Sequence, residues 1–280
     1  MTKWSKNRFF NGIIIKKEGT MNRDKRHKVF KPQFSKDRKP ARDSADFVAG
    51  YHPVREFIIK NPARVSKLLV STRSSGLDEI ISLAKANGVP FHFVPPEKLR
   101  EIAGRSENIL ALVSGTPLLG MDELKDKAAA LDKGLFVILD EITDTHNLGA
   151  IIRSAVCFGA DGVVIQKWRA ATLTGAVHTA SAGAVSHIDV YSVPNVKNAI
   201  SALKDLEYFA VGTASEGAKT MEGFVFPEKL AVVIGSEESG IRKTVAELCD
   251  EVVAIPQNKS IASLNASVAA GIILYAARRK

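Results

Sequence analysis

The sequence predicts an α/β protein: a mostly parallel sheet covered by helices on both faces, preceded by a smaller α/β unit. Three observations carry that expectation. Apolar runs such as 135–139 and 230–234 are short and continuous rather than alternating, so both of their faces should be buried. Helical stretches separate these runs, as crossovers between parallel strands require. The 280 residues, 45% hydrophobic and 25% charged, are those of an ordinary globular chain with room for two modest domains, or one large one with a tail.

The composition changes at Asp46, where the first ordered unit should begin. Residues 65–70 read as a strand, and 77–87 repeat apolar residues at Leu77, Ile80, Ile81 and Ala84, a helical period. Gly88 stops that helix, and 90–94 return to a strand. A short helix over 97–103 and a strand over 109–113 complete a unit spanning 46–116. Gly115, Pro117 and Gly120 mark a linker over 117–121. From 122 to 280 a second unit follows. Asp122 can cap a helix running to Leu131, and strands are expected at 135–139, 162–165, 208–211, 230–234 and 251–255. A long helix rich in small residues closes the chain.

Charge is uneven. Residues 1–45 hold fourteen Lys and Arg against four Asp and Glu, whereas the remainder is close to neutral, so the net charge of +9 belongs to the tail. Such a stretch cannot bury enough apolar surface to fold alone and is expected to be disordered. A basic arm of this kind attracts nucleic-acid phosphates in a salt-dependent way. Met21, preceded by Lys16-Lys-Glu-Gly-Thr20, is a second candidate start.

Several classes are excluded. The longest nearly uncharged run, 267–277, is well short of the roughly 18 apolar residues of a membrane span. Cys157 and Cys249 lie far apart with no CxxC, and the histidines form no metal pair, so neither a disulfide scaffold nor a metal site is expected. The first residues lack an apolar signal core, which reads as a cytoplasmic location.

Ligands of open parallel sheets bind beyond the carboxyl ends of the strands. Three polar loops stand there: 140–149, followed by a helix carrying Arg153; 235–241; and 256–267, leading into the last helix. None is a P-loop, a GxGxxG turn or a GxSxG elbow. Kinases, GTPases, dinucleotide enzymes and common hydrolases are therefore disfavoured.

The three loops do resemble the motifs of one family. Asn147-Leu-Gly-Ala-Ile-Ile-Arg153, Ile234-Gly-Ser-Glu-Glu-Ser-Gly-Ile241, and Ile255-Pro followed by Ser263-Leu-Asn-Ala-Ser-Val-Ala-Ala-Gly271 are similar, in order, to those of the SpoU (TrmH-type) RNA ribose 2′-O-methyltransferases of the SPOUT superfamily. The likeness covers 46–280, because Gly50-Tyr-His-Pro-Val-Arg-Glu56 resembles the opening of that family's L30e-like RNA-binding domain. Within the family the chain looks most like enzymes that methylate a guanosine ribose in large-subunit ribosomal RNA.

The resemblance implies a deep trefoil knot in the second domain, bound S-adenosylmethionine, RNA as partner and a homodimer. It implies catalytic roles for Arg153, Asn147, Glu237, Asn265 and Ser263. Arg153 would act as a base or, more in keeping with a guanidinium that holds its proton, grip the target phosphate. Asn147 and Asn265 would hold loops and the ribose, and Glu237 would fix Arg153 or the nucleotide. Asn265 could also cap the last helix. Gly235, Ile255, Leu264 and Thr213 would line the methyl-donor pocket, with Gly235 admitting close backbone approach. Thr145 stands where the family has a proline. Two rival readings remain: a tRNA ribose methyltransferase, or a ribosome assembly factor that binds RNA without catalysis.

Overall fold

The structure is a computed structural model that describes residues 46–72, 76–214, 219–258 and 263–278. The expectation of a disordered tail over 1–45 lies outside these residues. The described chain forms two sheets within one compact unit.

The first sheet is built from β1 (Asp46–Ala49), β2 (Val65–Ser71), β3 (Phe91–Val94) and β4 (Ile109–Val113), interleaved with α1 (Tyr51–Lys60), α2 (Asp78–Ala86) and α3 (Pro96–Ala103). Its strand order is β1-β4-β2-β3, antiparallel except for β2 with β3. Sequence reading missed β1 and α1. Pro53 looks like a helix breaker, but it occupies the first turn of α1, where no intrahelical N–H is needed. From there α1 buries Val54, Phe57 and Ile58 against Leu68, Val70 and Ala111.

The second part runs α4 (Met121–Ala129), β5 (Gly134–Asp140), α5 (Thr145–Cys157), β6 (Gly162–Gln166), α6 (Gly175–Ala180), β7 (Asp189–Val193), α7 (Val196–Asp205), β8 (Phe209–Ala214), β9 (Lys219–Thr220), β10 (Lys229–Gly235), α8 (Lys243–Ala246), β11 (Glu251–Ala254) and α9 (Ala266–Arg278). Every neighbouring pair in its seven-stranded sheet is parallel, in the order β7-β6-β5-β10-β8-β11-β9. The continuous apolar runs are explained by two cores. Leu135, Val137 and Leu139 face Ile151, Ile152, Ile273 and Leu274 from α5 and α9, while Phe136 and Ile138 face Leu124, Ile200 and Leu203 from α4 and α7. Successive residues of β5 thus serve opposite faces, and no position is left for a polar residue until the strand ends.

Three boundaries depart from expectation. Gly120, not Asp122, precedes α4, and its N–H donates to Glu123 Oε2 at 2.9 Å. The loop after β5 is shorter than 140–149, because Asp144 caps α5 by accepting from the His146 N–H at 2.8 Å. The linker lies along the sheet edge: the Leu119 N–H donates to Val190 O at 3.0 Å, and the Ser192 N–H to Leu119 O at 2.8 Å.

The first sheet seats on α6. Asp46 accepts from the Gly175 N–H at 2.7 Å, and the Ala49 N–H donates to Thr179 Oγ1 at 3.0 Å. His187 Nε2 meets Glu56 Oε2 at 2.7 Å. Among the described residues, no helix is long and apolar enough to cross a membrane.

Candidate active site

Asp140 closes β5 and is wholly buried. Its carboxylate accepts from the Arg242 N–H at 2.9 Å and from the guanidinium Nε and Nη2 at 2.9 and 2.6 Å. Arg242 also reaches Glu141 Oε1 at 3.5 Å. The bond to Asp140 raises the guanidinium pKa above its ordinary value. This pair fastens the loop after β10 to the end of β5. Losing Arg242 would strand the buried Asp140 charge, whereas losing Asp140 would leave a guanidinium that solvent still reaches. Sequence reasoning passed over both residues. The available signal was an acid at the last position of a fully apolar strand, which must find a donor.

The chain turns at once after β10. Ser236 and Gly240 exchange backbone hydrogen bonds at 3.2 and 2.9 Å. A Cβ on Gly235 would collide with the Gly240 carbonyl and the Ile241 amide. The close approach expected at Gly235 is therefore made by its own loop.

That turn presents Glu237 to two asparagines. Asn265 caps α9, its Oδ1 accepting from the N–H groups of Ser267 at 2.9 Å and Val268 at 3.3 Å. Its amide Nδ2 donates to Asn147 Oδ1 at 3.0 Å and to Glu237 Oε1. Asn147, in the first turn of α5, donates to the same Glu237 oxygen at 3.0 Å, and the Ala266 N–H reaches it at 3.3 Å. Side chains from three strand exits thus close one ring. Glu237 Oε2 has no partner among the described residues, and the side chain is exposed.

Arg153 is not part of the ring. Six residues along α5 from Asn147, it sits about a third of a turn away and about 9 Å along the axis. It is exposed, with no hydrogen bond or ion pair to any described residue. Glu237 holds the two asparagines rather than this arginine.

Two clefts flank the ring. The larger, about 570 Å³, brings together Thr213, Gly235, Ile255, Ser263 and Leu264 with Glu237. Thr213 is fixed there by donating to Val233 O at 3.0 Å. Apolar Ile234, Ile241, Ile255 and Leu264 share the walls with polar side chains, and among the described residues no Lys or Arg lines them. The second cleft, about 500 Å³, is bounded by 141–144, Asn147 and Arg169. Residues 236–239 line both, forming a common wall.

Both volumes fall in the range of roughly 300–1,000 Å³ for small-molecule sites. With Glu237 and Glu238 in the lining and no cation among the described residues, the larger cleft suits a ligand carrying positive charge better than a polyphosphate. Adjoining clefts at the carboxyl edge of a parallel sheet place two ligands side by side in an α/β protein, the arrangement a group-transfer enzyme needs.

Comparison with known proteins narrows the class. Residues 134–275 match the SpoU rRNA Methylase family, and 47–116 match the RNA 2′-O ribose methyltransferase substrate binding family. The chain belongs to the SpoU methylase family, and is an RNA methyltransferase of the SpoU/TrmH type. It is 37% identical to YacO of Bacillus subtilis, a protein assigned to the TrmH family of tRNA/rRNA methyltransferases, over 84% of this chain and 96% of that one. A TrmH-family protein of Staphylococcus saprophyticus is 35% identical, over 83% and 95%. The SpoU methyltransferase AviRb of Streptomyces viridochromogenes, solved with the cofactor AdoMet, superposes with a TM-score of 0.69 at 26% identity, covering 83% of this chain and 89% of that one.

Proposed function

We propose that the protein transfers a methyl group from S-adenosylmethionine to the 2′-hydroxyl of a guanosine ribose in large-subunit, 23S-type ribosomal RNA. The observation that carries this reading is the wall 236–239 common to two clefts, because group transfer needs donor and acceptor to meet. The cleft that no cation lines among the described residues is the donor site, and AviRb's bound AdoMet supports the identity of the donor. The donor supplies an electrophilic methyl group on a sulfonium. Ile255 and Leu264 pack on its nucleoside and offer main-chain groups, with Gly235 and Thr213 completing the pocket.

On the acceptor side, Glu237 Oε2 and the Asn147 amide orient the ribose, while Ser263, in the lining of the donor cleft, serves as a hydrogen-bonding support there. Asn265 holds this arrangement by bonding to both partners. Arg153 grips the RNA phosphate beside the target and so aims the 2′-hydroxyl. Its exposure and lack of a protein partner support this role.

The reading divides the chain into an RNA-contacting basic arm (1–45), an L30e-like RNA-binding domain (46–116), a linker (117–121) and a knotted catalytic domain (122–280), working as a cytoplasmic homodimer. Exposed Val268 and Tyr275, seven residues apart on α9, support a second copy covering that face. Incubation with labelled S-adenosylmethionine and separate pools of ribosomal and transfer RNA, followed by mapping of 2′-O-methyl sites, tests the proposal. Label in a large-subunit guanosine supports it. Label in transfer RNA alone overturns the substrate, and donor binding without transfer to any RNA overturns the catalytic reading.

A further inference from the structure

One strand exit contributes nothing to the ring. The loop after β6 carries Lys167, Trp168 and Arg169, all exposed, with Trp168 67% accessible. A tryptophan left in water beside two cations is not a core residue, and the loop is not slack. The Lys167 N–H donates to Val193 O at 2.8 Å, and the Ala171 N–H donates to Ile142 O at 2.9 Å, so one end of the loop is tied to the edge strand β7 and the other to the loop after β5. Lys167 Nζ lies 5.2 Å from the centroid of the Trp168 ring.

Arg169 lines the second cleft and is held at φ 58°, a left-handed conformation that non-glycine residues rarely adopt. The other charged residues lining that cleft are Glu141, Asp144, Glu237 and Glu238. Arg169 has no hydrogen bond or ion pair with any described residue. A phosphate-bearing strand would be repelled by these carboxylates unless a cation met it at the entrance.

We propose that Trp168 is a stacking platform for an RNA base, flanked by Lys167 and Arg169 as phosphate contacts, at the mouth of the second cleft. The inference rests on the reading of that cleft as the acceptor site. An aromatic face stacks on any base, and paired cations track the backbone on either side of it. Unstacked bases are available only in single-stranded RNA, so loops, bulges and ends are the form of substrate this platform fits.

The chain has two tryptophans, so Trp4→Phe leaves Trp168 as its only indole. Titrating that variant with single-stranded RNA oligonucleotides should quench its emission as the base stacks. Trp168→Ala should weaken oligonucleotide binding roughly 5- to 150-fold, the value of one base–aromatic stack, while Trp168→Phe recovers most of it. Arg169→Ala with Lys167→Ala should flatten the salt dependence of binding, each phosphate no longer neutralised lowering the slope by about 0.7. S-adenosylmethionine affinity, read by calorimetry, should not change in any of these variants.

Unquenched emission together with equal RNA affinity in all variants would overturn the platform. If the unaltered protein methylates RNA and Trp168→Ala keeps the same KM for it, this inference alone fails. If the unaltered protein neither binds nor methylates RNA, the functional reading fails and this inference with it.

Discussion

Lowering the pH should weaken the protein through His178. This residue lies on α6, buried beneath the first sheet. Its Nε2 is 2.7 Å from Thr116 Oγ1, its ring meets Phe57 edge to face at 4.8 Å, and Nδ1 has no partner. Burial, helped by the charge of Arg64, pushes its pKa from 6.5 down to about 4. A proton therefore binds the unfolded chain first, so this stability is present above pH 6.5 and is lost as the pH falls towards 4. With those two values, the loss between pH 7.5 and pH 5 is roughly 2 kcal/mol. Most carboxylates stay ionised across that window, and comparison with a His178 variant separates this side chain from the other five histidines. Urea titrations followed by circular dichroism at a series of pH values measure it directly. His178→Gln keeps a hydrogen-bonding amide for Thr116 but does not titrate, so its stability should be flatter with pH by the same amount. Parallel curves for the two proteins would refute the assignment of the acid sensitivity to this side chain.

Arg153→Ala should leave S-adenosylmethionine binding nearly intact and cut single-turnover methyl transfer by two orders of magnitude or more; transfer at the original rate would remove Arg153 from the site. Gly235→Val should abolish donor binding measured by calorimetry, because the 236–240 turn cannot close around a Cβ, and unchanged affinity would count against the pocket. Glu237→Ala should lower turnover about 100-fold or more, since both asparagines lose their acceptor; equal rates under donor saturation would show the ring to be only structural. Deleting 1–45 should reduce the salt dependence of RNA binding by a slope of about 0.7–0.9 for each phosphate the arm neutralises, while donor affinity holds. An identical slope would show that the arm does not touch RNA.

How much could be read without coordinates depended on burial. Strands buried on both faces, such as β5 and β10, announce themselves because a polar residue has nowhere to go. Edge elements do not: β7 mixes Asp189 and Ser192 with Val190 and Tyr191, and β9 has two residues. Of the residues expected at the site, Asn147, Glu237 and Asn265 do meet, whereas Arg153 stands apart. Their partners were not legible, because which carboxylate oxygen takes which amide depends on loop closure. The Asp140–Arg242 clamp spans 102 residues, so the acid that ends β5 does not reveal which donor it finds. Trp168 and Arg169 escaped notice for a related reason, since exposure is a property of the fold and not of the loop's own sequence.

The bond from Asn265 to Asn147 joins residues 118 positions apart, and the later one opens the final helix. A chain still emerging from the ribosome can form the first sheet and most of the second, yet it cannot seat Glu237 until α9 arrives to supply Asn265. On the proposed reading of the ring, chains that stop short of α9 have no assembled ring with which to modify RNA.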